Sequence, residues 1–172
     1  MNKNKIKLHL GCGTQYKEGY INVDINPNLK VDVCFDMDKE KWPFEDNYFD
    51  EVLAWHSIEH SLNYLHVIKE LWRVCKPNAK IHIGVPYYSS GTYNLVNPYH
   101  NVLFNEHSFK FFDDEHLLGS ANEIMPAKFK TEKISFDYFP EWAEKTEAVK
   151  EFARKHFLNV VGSMEFILKV VK

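Results

Sequence analysis

Apolar and polar positions alternate along this chain in short runs, which is the pattern of β-strands that are buried on one face. Five runs in the first half have the length and the β-branched content of strands, at residues 6–10, 20–25, 31–35, 49–55 and 79–85. Two further runs near the end, residues 131–139 and 163–171, predict two closing strands.

A helical period lies between the fourth and fifth of these strands. Apolar residues recur three and four positions apart over residues 62–75, which predicts an amphipathic helix. Its apolar stripe is predicted to begin with Leu62 and Leu65, and Pro77 and Asn78 end the helix.

The second half of the chain carries two further helical patterns. One covers residues 108–119, and the other covers residues 140–157. Pro140 suits the first turn of the last helix, and Glu141 suits the positive end of its dipole. The core-facing side of this helix is predicted to consist of Ala143, Val149, Phe152 and Phe157.

Strands that alternate with loops and helices predict an α/β sheet with right-handed crossovers. The length of 172 residues fits one domain. In open sheets of this kind, ligands bind in the crevice beyond the carboxyl ends of the strands. We therefore expect the residues of a binding site to follow the strands.

Composition narrows the classes of partner and compartment. The chain has 21 basic and 24 acidic residues and a formal net charge of -3, so no basic excess favours nucleic acid as a partner. The three cysteines form no CxxC pair, which disfavours a zinc ribbon and a disulfide scaffold and indicates a reducing, cytoplasmic setting. No apolar run has the length of a membrane span.

A glycine turn and an acidic residue follow the first two strands. Gly11, Cys12 and Gly13 let backbone approach a ligand without a Cβ clash, although a tight turn alone would explain them equally well. Asp24 ends the second strand, where a carboxylate can accept both ribose hydroxyls of an adenosine ligand. The alternative is a turn residue or a helix cap.

The third and fourth strands also end in candidate binding residues. Asp36 can accept a hydrogen bond from an adenine amino group while Met37 packs on the ring; the alternative is an exposed loop acid. After the fourth strand, Trp55, His56 and His60 are predicted to project into the same crevice. A structural, hydrogen-bonded histidine is an equal alternative for each imidazole.

The order of these motifs resembles that of class I S-adenosylmethionine-dependent methyltransferases. The sequence is most similar to the short-chain, methyltransferase type 11-like group, through Leu-Gly-Cys-Gly at residues 10–13, Ile-Asn-Val-Asp at 21–24, Phe-Asp at 49–50 and Ile-Glu-His at 58–60. The resemblance covers residues 6–86. It implies a Rossmann-like, doubly wound mixed sheet in a single domain, with S-adenosylmethionine as the cofactor.

The resemblance also implies roles for individual residues. The glycine turn would hold the methionine end of the cofactor. Asp24 would bind the ribose, and Asp36 would lie at the edge of the adenine. His56 would lie near the sulfonium. The cofactor-binding residues predicted in this way are Gly11, Cys12, Gly13, Asp24, Ile25, Asp36, Met37, Trp55 and His56.

Three positions depart from the pattern of the family. His9 stands where many members have an acid, so the methionine amino group would lose an anchor. Only residues 14–19 separate the glycine turn from the second strand, so the usual first helix is expected to be reduced to a turn. Asn78 replaces a common glycine, and asparagine tolerates the positive φ that this position would require.

The acceptor side is predicted to lie in the long loop at residues 87–107. His100, Phe104, Ser108 and Phe109 fit the pattern of the related group. His100 is a candidate general base, with His56 the second catalytic candidate; a histidine that pins the loop by hydrogen bonds is the alternative for His100. The length of the loop also predicts a lid that orders on binding.

No metal is predicted. His56 and His60 stand at i and i+4 and can share a helix face, but no third ligand has suitable spacing.

The sequence thus predicts methyl transfer from S-adenosylmethionine to a small-molecule or sugar acceptor, at oxygen or nitrogen. The alternative is a non-catalytic cofactor-binding or scaffold protein on the same fold. A nicotinamide-dependent dehydrogenase is disfavoured because Tyr16 occupies the place of the third glycine. Within a single domain of residues 1–172, residues 6–86 are expected to bind the cofactor, 87–130 to form the acceptor and lid part, and 131–172 to close the sheet.

Overall fold

A seven-stranded sheet organises the chain. The computed structural model describes residues 5–39, 41–113 and 127–172. The strand order is β3-β2-β1-β4-β5-β7-β6. The strands are β1 (Lys7–Leu10), β2 (Ile21–Asp24), β3 (Val33–Cys34), β4 (Phe49–Trp55), β5 (Cys75–Pro86), β6 (Phe129–Tyr138) and β7 (Val161–Val170).

The directions of the strands confirm the Rossmann-like, doubly wound mixed sheet. Strands β1 to β5 pair in parallel, whereas β7 is antiparallel to both of its neighbours, β5 and β6. The strand order reverses between β1 and β4, which makes their carboxyl ends a topological switch point where ligands bind in open α/β sheets.

The crossover from β1 to β2 contains no helix, as the short spacing predicted. The fully buried side chain of Asn22 holds this crossover in place. Its amide nitrogen donates to the carbonyl oxygens of Lys17 and Tyr20, at 3.0 and 2.9 Å, and to the Asp32 carboxylate at 3.1 Å. Its Oδ1 accepts from the Lys17 backbone N–H at 2.8 Å and from the His9 ring at 3.2 Å. Side-chain hydrogen bonds therefore stabilise this helix-free connection.

Helix α1 (Tyr64–Val74) begins later than its apolar period suggested. Leu62 and Leu65 are 81% and 56% exposed, so the prediction that they lie on the buried stripe is wrong. The Asp38 carboxylate explains the later start, because it accepts the backbone N–H groups of Leu62 and Asn63 just before the helix.

The end of α1 differs from the prediction in one respect. Strand β5 begins at Cys75, directly after the helix, rather than at residue 79. Asn78 has a φ of 66°, which confirms the expectation that asparagine meets a positive φ here.

The predicted helix at residues 140–157 is two helices. Helix α2 (Pro140–Ala143) is a single turn, and α3 (Glu147–His156) begins anew at Thr146, whose hydroxyl accepts the Val149 N–H. A new N-cap thus interrupts the predicted continuous helix.

The apolar face predicted for this helix is also wrong, since Val149, Phe152 and Phe157 are 44%, 56% and 50% exposed. The packed side is formed instead by Ala153 and by the stems of Lys150 and Arg154, whose side chains are only 13% and 12% exposed. The two cations lie over the rings of Tyr138 and Phe136. Long charged side chains can bury their aliphatic stems in this way.

The helix predicted at residues 108–119 is a short 3-10 turn, Lys110–Phe112, in the part that the structure describes. Residues 114–126 lie outside the described residues. Phe109 and Phe112 beside this turn are buried, and their rings lie 4.7 Å from Phe166 and 6.2 Å from Phe129 respectively, between centroids. The core therefore continues from the central strands to the end of the sheet at β6.

No helix among the described residues is long and apolar enough to cross a membrane.

Candidate active site

A cavity of about 340 Å³ opens at the carboxyl ends of β1, β2, β3 and β4. Its volume lies in the range of small-molecule sites. It is lined by Leu10, Gly11, Gly13, Val23, Asp24, Ile25, Phe35, Asp36, Met37, Asp38, His56, Ser57 and His60. Most of the residues predicted to bind the cofactor therefore meet in one place.

The two glycines of the turn have different surroundings. Both have positive φ, 64° at Gly11 and 53° at Gly13. A Cβ added at Gly11 would lie 2.4 Å from the Cβ of Ser57, whereas one added at Gly13 would meet nothing within 4 Å. Gly11 thus permits close packing against the segment after β4, and Gly13 leaves backbone open to the cavity.

The Cys12 side chain does not line the cavity. It is 3% exposed, and burial together with the nearby Asp24 charge raises the pKa of the thiol. The Cys12 backbone N–H donates to the carbonyl oxygen of Val23 at 2.9 Å. Cys12 therefore joins the glycine turn to β2.

Asp24 is fixed at the end of β2 by two backbone donors. Its Oδ2 accepts the Gly13 N–H at 2.8 Å, and its Oδ1 accepts the Asn26 N–H at 3.0 Å. Each carboxylate oxygen keeps a further acceptor site, so the group can still take two hydroxyl donors. Ile25, the next residue, is 62% exposed and lines the cavity beside it.

The segment after β3 supplies an apolar wall and two acids. Phe35 and Met37 line the cavity and pack against the core. Asp36 accepts the Asp38 N–H at 3.0 Å and lies 3.5 Å from the Lys39 ammonium group. Asp38, which the sequence analysis did not single out, is engaged by the start of α1 and so helps to place the wall.

These surroundings fit S-adenosylmethionine. An apolar wall suits the adenine ring, the held carboxylate of Asp24 suits the ribose, and the open position at Gly13 suits close approach of the ligand. His9 is not part of this lining. Its ring is buried and is hydrogen-bonded to the Asn22 side chain, and burial lowers the pKa of the imidazole.

His56 lies at the mouth of the same cavity with a left-handed backbone, at a φ of 50°. Its Nδ1 is 3.4 Å from Oε1 of Glu59. Glu59 is 1% exposed, and neither of its carboxylate oxygens has a hydrogen-bond partner among the described residues. The 3.4 Å approach is therefore a close contact rather than a well-aligned hydrogen bond.

His100 lies next to His60, with 4.8 Å between the ring centroids. His100 does not line the cavity. Its Nδ1 pairs with Oδ1 of Asn94 and its Nε2 with the amide nitrogen of Asn97, both at 3.1 Å. Burial lowers the pKa of the His100 imidazole, which favours the neutral ring.

Trp55 does not line the cavity. A Cβ on Gly84 would lie 2.5 Å from its ring, so the indole packs directly on β5. Trp55 lines a separate surface depression with His9, Lys17 and Leu53. The structure therefore does not bring Trp55 together with the other predicted cofactor residues.

The long loop after β5 is attached to the segment that carries Glu59. The backbone N–H groups of Asn101 and Val102 donate to the Glu59 carbonyl oxygen at 2.8 and 3.0 Å. The exposed apolar residues of the loop lie mainly before this attachment, at Tyr93, Leu95, Val96 and Tyr99. The predicted ordering of this loop on binding stays a prediction, and these exposed residues are the part that it concerns.

Glu59 had no predicted role, although it is the central residue of the Ile-Glu-His motif. Burial of a carboxylate beside three imidazoles is a tertiary feature, because His100 reaches Glu59 only through the loop. Asp38 and Phe35 had a weaker signal that could have been used, since both flank the predicted Asp36 and Met37.

Comparisons with known proteins agree with this geometry. Residues 8–83 match the family described as "Methyltransferase domain". The structure is similar to a SAM-dependent methyltransferase from Archaeoglobus fulgidus, with a TM-score of 0.63 and 18% identity over 96% of this chain and 86% of that one. It is also similar to a SAM-dependent methyltransferase from Aquifex aeolicus, with a TM-score of 0.58 and 13% identity over 98% and 84%. A comparison with curated protein sequences finds no match.

The cavity lies at the switch point of a Rossmann-like sheet, where open α/β sheets bind their ligands. Residues 8–83 match the methyltransferase domain family, and the fold is similar to that of S-adenosylmethionine-dependent methyltransferases. Both findings support the expected cofactor, S-adenosylmethionine.

Proposed function

We propose that this methyltransferase modifies an oxygen or nitrogen atom of a small molecule or a sugar. The observation that carries the proposal is the pair formed by His56 and the buried Glu59 at the mouth of the cofactor cavity. A proton acceptor is needed in methyl transfer only where the acceptor atom must lose a proton, as hydroxyl and amine groups do.

The cofactor's contribution is an electrophilic methyl group on a positively charged sulfur. In this proposal, Asp24 binds the ribose hydroxyls, and Phe35 and Met37 pack against the adenine. Asp36 stays the proposed partner of the adenine amino group. Holding the methyl group in line with the acceptor supplies most of the rate, since alignment removes much of the entropic barrier.

His56 is the better-placed base of the two proposed catalytic histidines. Its Nδ1 faces the Glu59 carboxylate, so its Nε2 is the atom that takes the acceptor's proton. The bound cofactor would supply the methyl group to the acceptor atom and would keep the electron pair of its carbon–sulfur bond on sulfur, while His56 holds the acceptor's proton at Nε2. His100 supports this step less directly, because its own loop engages both ring nitrogens.

The loop at residues 87–107 supports a small acceptor. Its exposed Tyr93 and Tyr99 offer aromatic surface beyond the attachment to Glu59. The net charge of -3 gives no general attraction for a nucleic acid. In this proposal, residues 6–86 bind the cofactor, residues 87–130 form the acceptor part, and residues 131–172 close the sheet. The free thiols of the described chain support a reducing, cytoplasmic setting.

Calorimetry tests the cofactor site. S-adenosylmethionine and its demethylated product should bind, and NAD should not. Asp24→Ala should weaken binding about 5- to 150-fold, because the ribose hydroxyls lose a charged acceptor worth about 1–3 kcal/mol. Asp137→Ala, on exposed surface of β6, is the matched control. Unchanged affinity in a folded Asp24→Ala protein would remove Asp24 from the site.

Release of demethylated cofactor tests the acceptor class. Sugars, phenols and small amines should support turnover, and duplex DNA or RNA should not. Once an acceptor is found, His56→Gln should lower kcat by about 100-fold or more, the usual range for loss of a general base, and change cofactor affinity far less. His156→Gln, on the exposed side of α3, is the control. Cofactor binding without turnover on any acceptor would favour the non-catalytic alternative.

A further inference from the structure

A second chemical grouping lies beside the cofactor cavity. One ligand atom from each of Glu59, His60 and His100 lies within 4.8 Å of the other two. Two of these residues belong to the 3-10 turn Ile58–His60, and the third belongs to the loop after β5. The backbone hydrogen bonds from Asn101 and Val102 to the Glu59 carbonyl oxygen fix the distance between the two segments.

The carboxylate of this group lacks the partners that a buried charge requires. Glu59 is 1% exposed, and both of its oxygens are without a hydrogen-bond partner among the described residues. A buried, unpaired carboxylate is strongly unfavourable, and natural proteins pair such groups or bind a metal with them. The His56 ring is close to only one oxygen, at 3.4 Å, and is itself 42% exposed. A cation between Glu59 and the other two histidines would supply the missing charge.

The imidazoles carry the outer hydrogen bonds that metal-binding histidines use. The Nδ1–H of His60 donates to the carbonyl oxygen of Tyr99 at 3.2 Å, which leaves Nε2 with a free lone pair. The Nδ1 of His100 pairs with Oδ1 of Asn94 in the same way. Such outer-shell partners fix the tautomer and the orientation of a ligating ring. Binding at Nε2 of His100 would displace the Asn97 amide, a single 3.1 Å contact.

We propose that Glu59, His60 and His100 bind one divalent transition-metal ion, of the Zn²⁺ or Fe²⁺ class. Two imidazoles and one carboxylate form the ligand set of catalytic zinc and of non-haem iron sites, which keep further positions open. Mg²⁺ prefers an all-oxygen shell and is not expected to bind.

The open positions give the ion a role in the proposed reaction. His60 lines the cofactor cavity, so an acceptor held next to the cofactor can reach a metal ion that His60 binds. A metal-bound hydroxyl loses its proton more readily, and His56 would then accept that proton at lower cost. This role rests on the proposed methyl transfer, whereas binding of the ion does not.

Titration of the chelator-stripped, full-length protein with Co²⁺ and Zn²⁺ tests the site. A Cys34→Ser background removes the exposed thiol, which is the competing soft ligand among the described residues. We expect one ion per chain, with intense visible Co²⁺ bands that indicate four- or five-coordination, and no response to Mg²⁺. Glu59→Gln, His60→Gln and His100→Gln should each lower affinity at least about tenfold, the loss that removal of even an outer-shell partner produces.

His156→Gln serves as the matched control and should bind the ion as the parent does. Affinity that persists in all three ligand variants would overturn the proposal, as would the absence of any Co²⁺ or Zn²⁺ binding at millimolar concentration. Calorimetry with S-adenosylmethionine on the stripped protein separates the two proposals. Cofactor binding and turnover that do not change on chelation would remove the ion's catalytic role and leave the methyl-transfer proposal standing.

Discussion

The two halves of the sheet are built in different ways. Strands β3, β2 and β1 have 2, 4 and 4 residues, and turns join β1 to β2. Strands β4, β5, β7 and β6 have 7, 12, 10 and 10 residues. In the first half, buried polar side chains around Asn22 hold the connection between β1 and β2, whereas the second half is held by apolar and aromatic packing such as that of Phe109 on Phe166.

The short strands and the segments that follow them carry most of the residues that line the cavity, whereas the long strands contribute most of the apolar packing. Short strands with turn connections bring Gly13, Asp24 and Asp36 to one cavity within a short stretch of chain. That arrangement depends on a few hydrogen bonds with fixed geometry, and loss of one partner leaves the others buried and unpaired. The long strands contribute many interchangeable apolar contacts, which tolerate change when volume is kept. We therefore expect the first half of the sheet, called the cofactor half below, to tolerate substitutions less well than the second half.

The largest effect is expected from Asn22→Ala. The change removes hydrogen bonds of a fully buried side chain to the backbone of Lys17 and Tyr20 and to the His9 ring. A hydrogen bond contributes about 1 kcal/mol, so we expect a loss of about 3 kcal/mol in the free energy of unfolding. Urea denaturation measures it.

Two controls define the comparison. Asn28→Ala removes an exposed asparagine from the same half and should change stability by less than about 0.5 kcal/mol. Leu168→Met changes a fully buried position of β7 and should cost less than about 1.5 kcal/mol, because the volume is nearly kept. If Leu168→Met proves as damaging as Asn22→Ala, the two halves do not differ in tolerance.

The next effect distinguishes the two glycines of the turn. Gly11→Ala places a Cβ 2.4 Å from that of Ser57 at a φ of 64°, so we expect a stability loss of about 2 kcal/mol from overpacking and backbone strain. Gly13→Ala meets only the strain of positive φ, about 1 kcal/mol, because its Cβ has open space. Thermal denaturation measures both.

The same pair of variants should give the opposite order in cofactor binding. Gly13→Ala fills the open position in the cavity and should weaken S-adenosylmethionine in calorimetry more than its small stability loss suggests. Weaker binding by Gly13→Ala would identify Gly11 as the packing residue and Gly13 as the binding residue of one motif. Normal binding would mean that the cofactor does not approach this backbone.

The cofactor half could be predicted from the sequence because its site residues follow strands in chain order. Gly11 and His56 directly follow β1 and β4, Asp24 ends β2, and Asp36 lies two residues after β3; parallel strands end at one edge of the sheet. Trp55, the last residue of β4, does not line this cavity, so its predicted contact with the cofactor stays a prediction.

The acceptor side could not be predicted in this way. Glu59 and His100 are far apart in the sequence and meet through a loop that has no hydrophobic period. The face of α3 was predicted wrongly for another reason. A pattern that counts Lys150 and Arg154 as polar misses the packing of their aliphatic stems on Tyr138 and Phe136.

The smallest expected effect is a pH dependence that arises within the Asn22 network. Burial, opposed by the Asn22 hydrogen bond and assisted by the Lys17 charge, lowers the pKa of His9 below its ordinary value of 6.5. Above that value His9 is neutral in both the folded and the unfolded chain, and its contribution to stability is fully present. As the pH falls through 6.5, the unfolded chain binds a proton that the folded chain does not, so the free energy of unfolding decreases. The slope from this one group is at most about 1.4 kcal/mol per pH unit, which gives a loss of up to about 1 kcal/mol at pH 5.5.

Urea denaturation at pH 7.5 and 5.5 should therefore show a smaller pH-dependent loss of stability in His9→Gln than in the parent. His107→Gln, on exposed surface of the other half, is the control and should follow the parent. Equal losses in the parent and His9→Gln would show that the buried ring accepts a proton without disturbing Asn22, and the polar network would then be more tolerant than the comparison of the two halves requires.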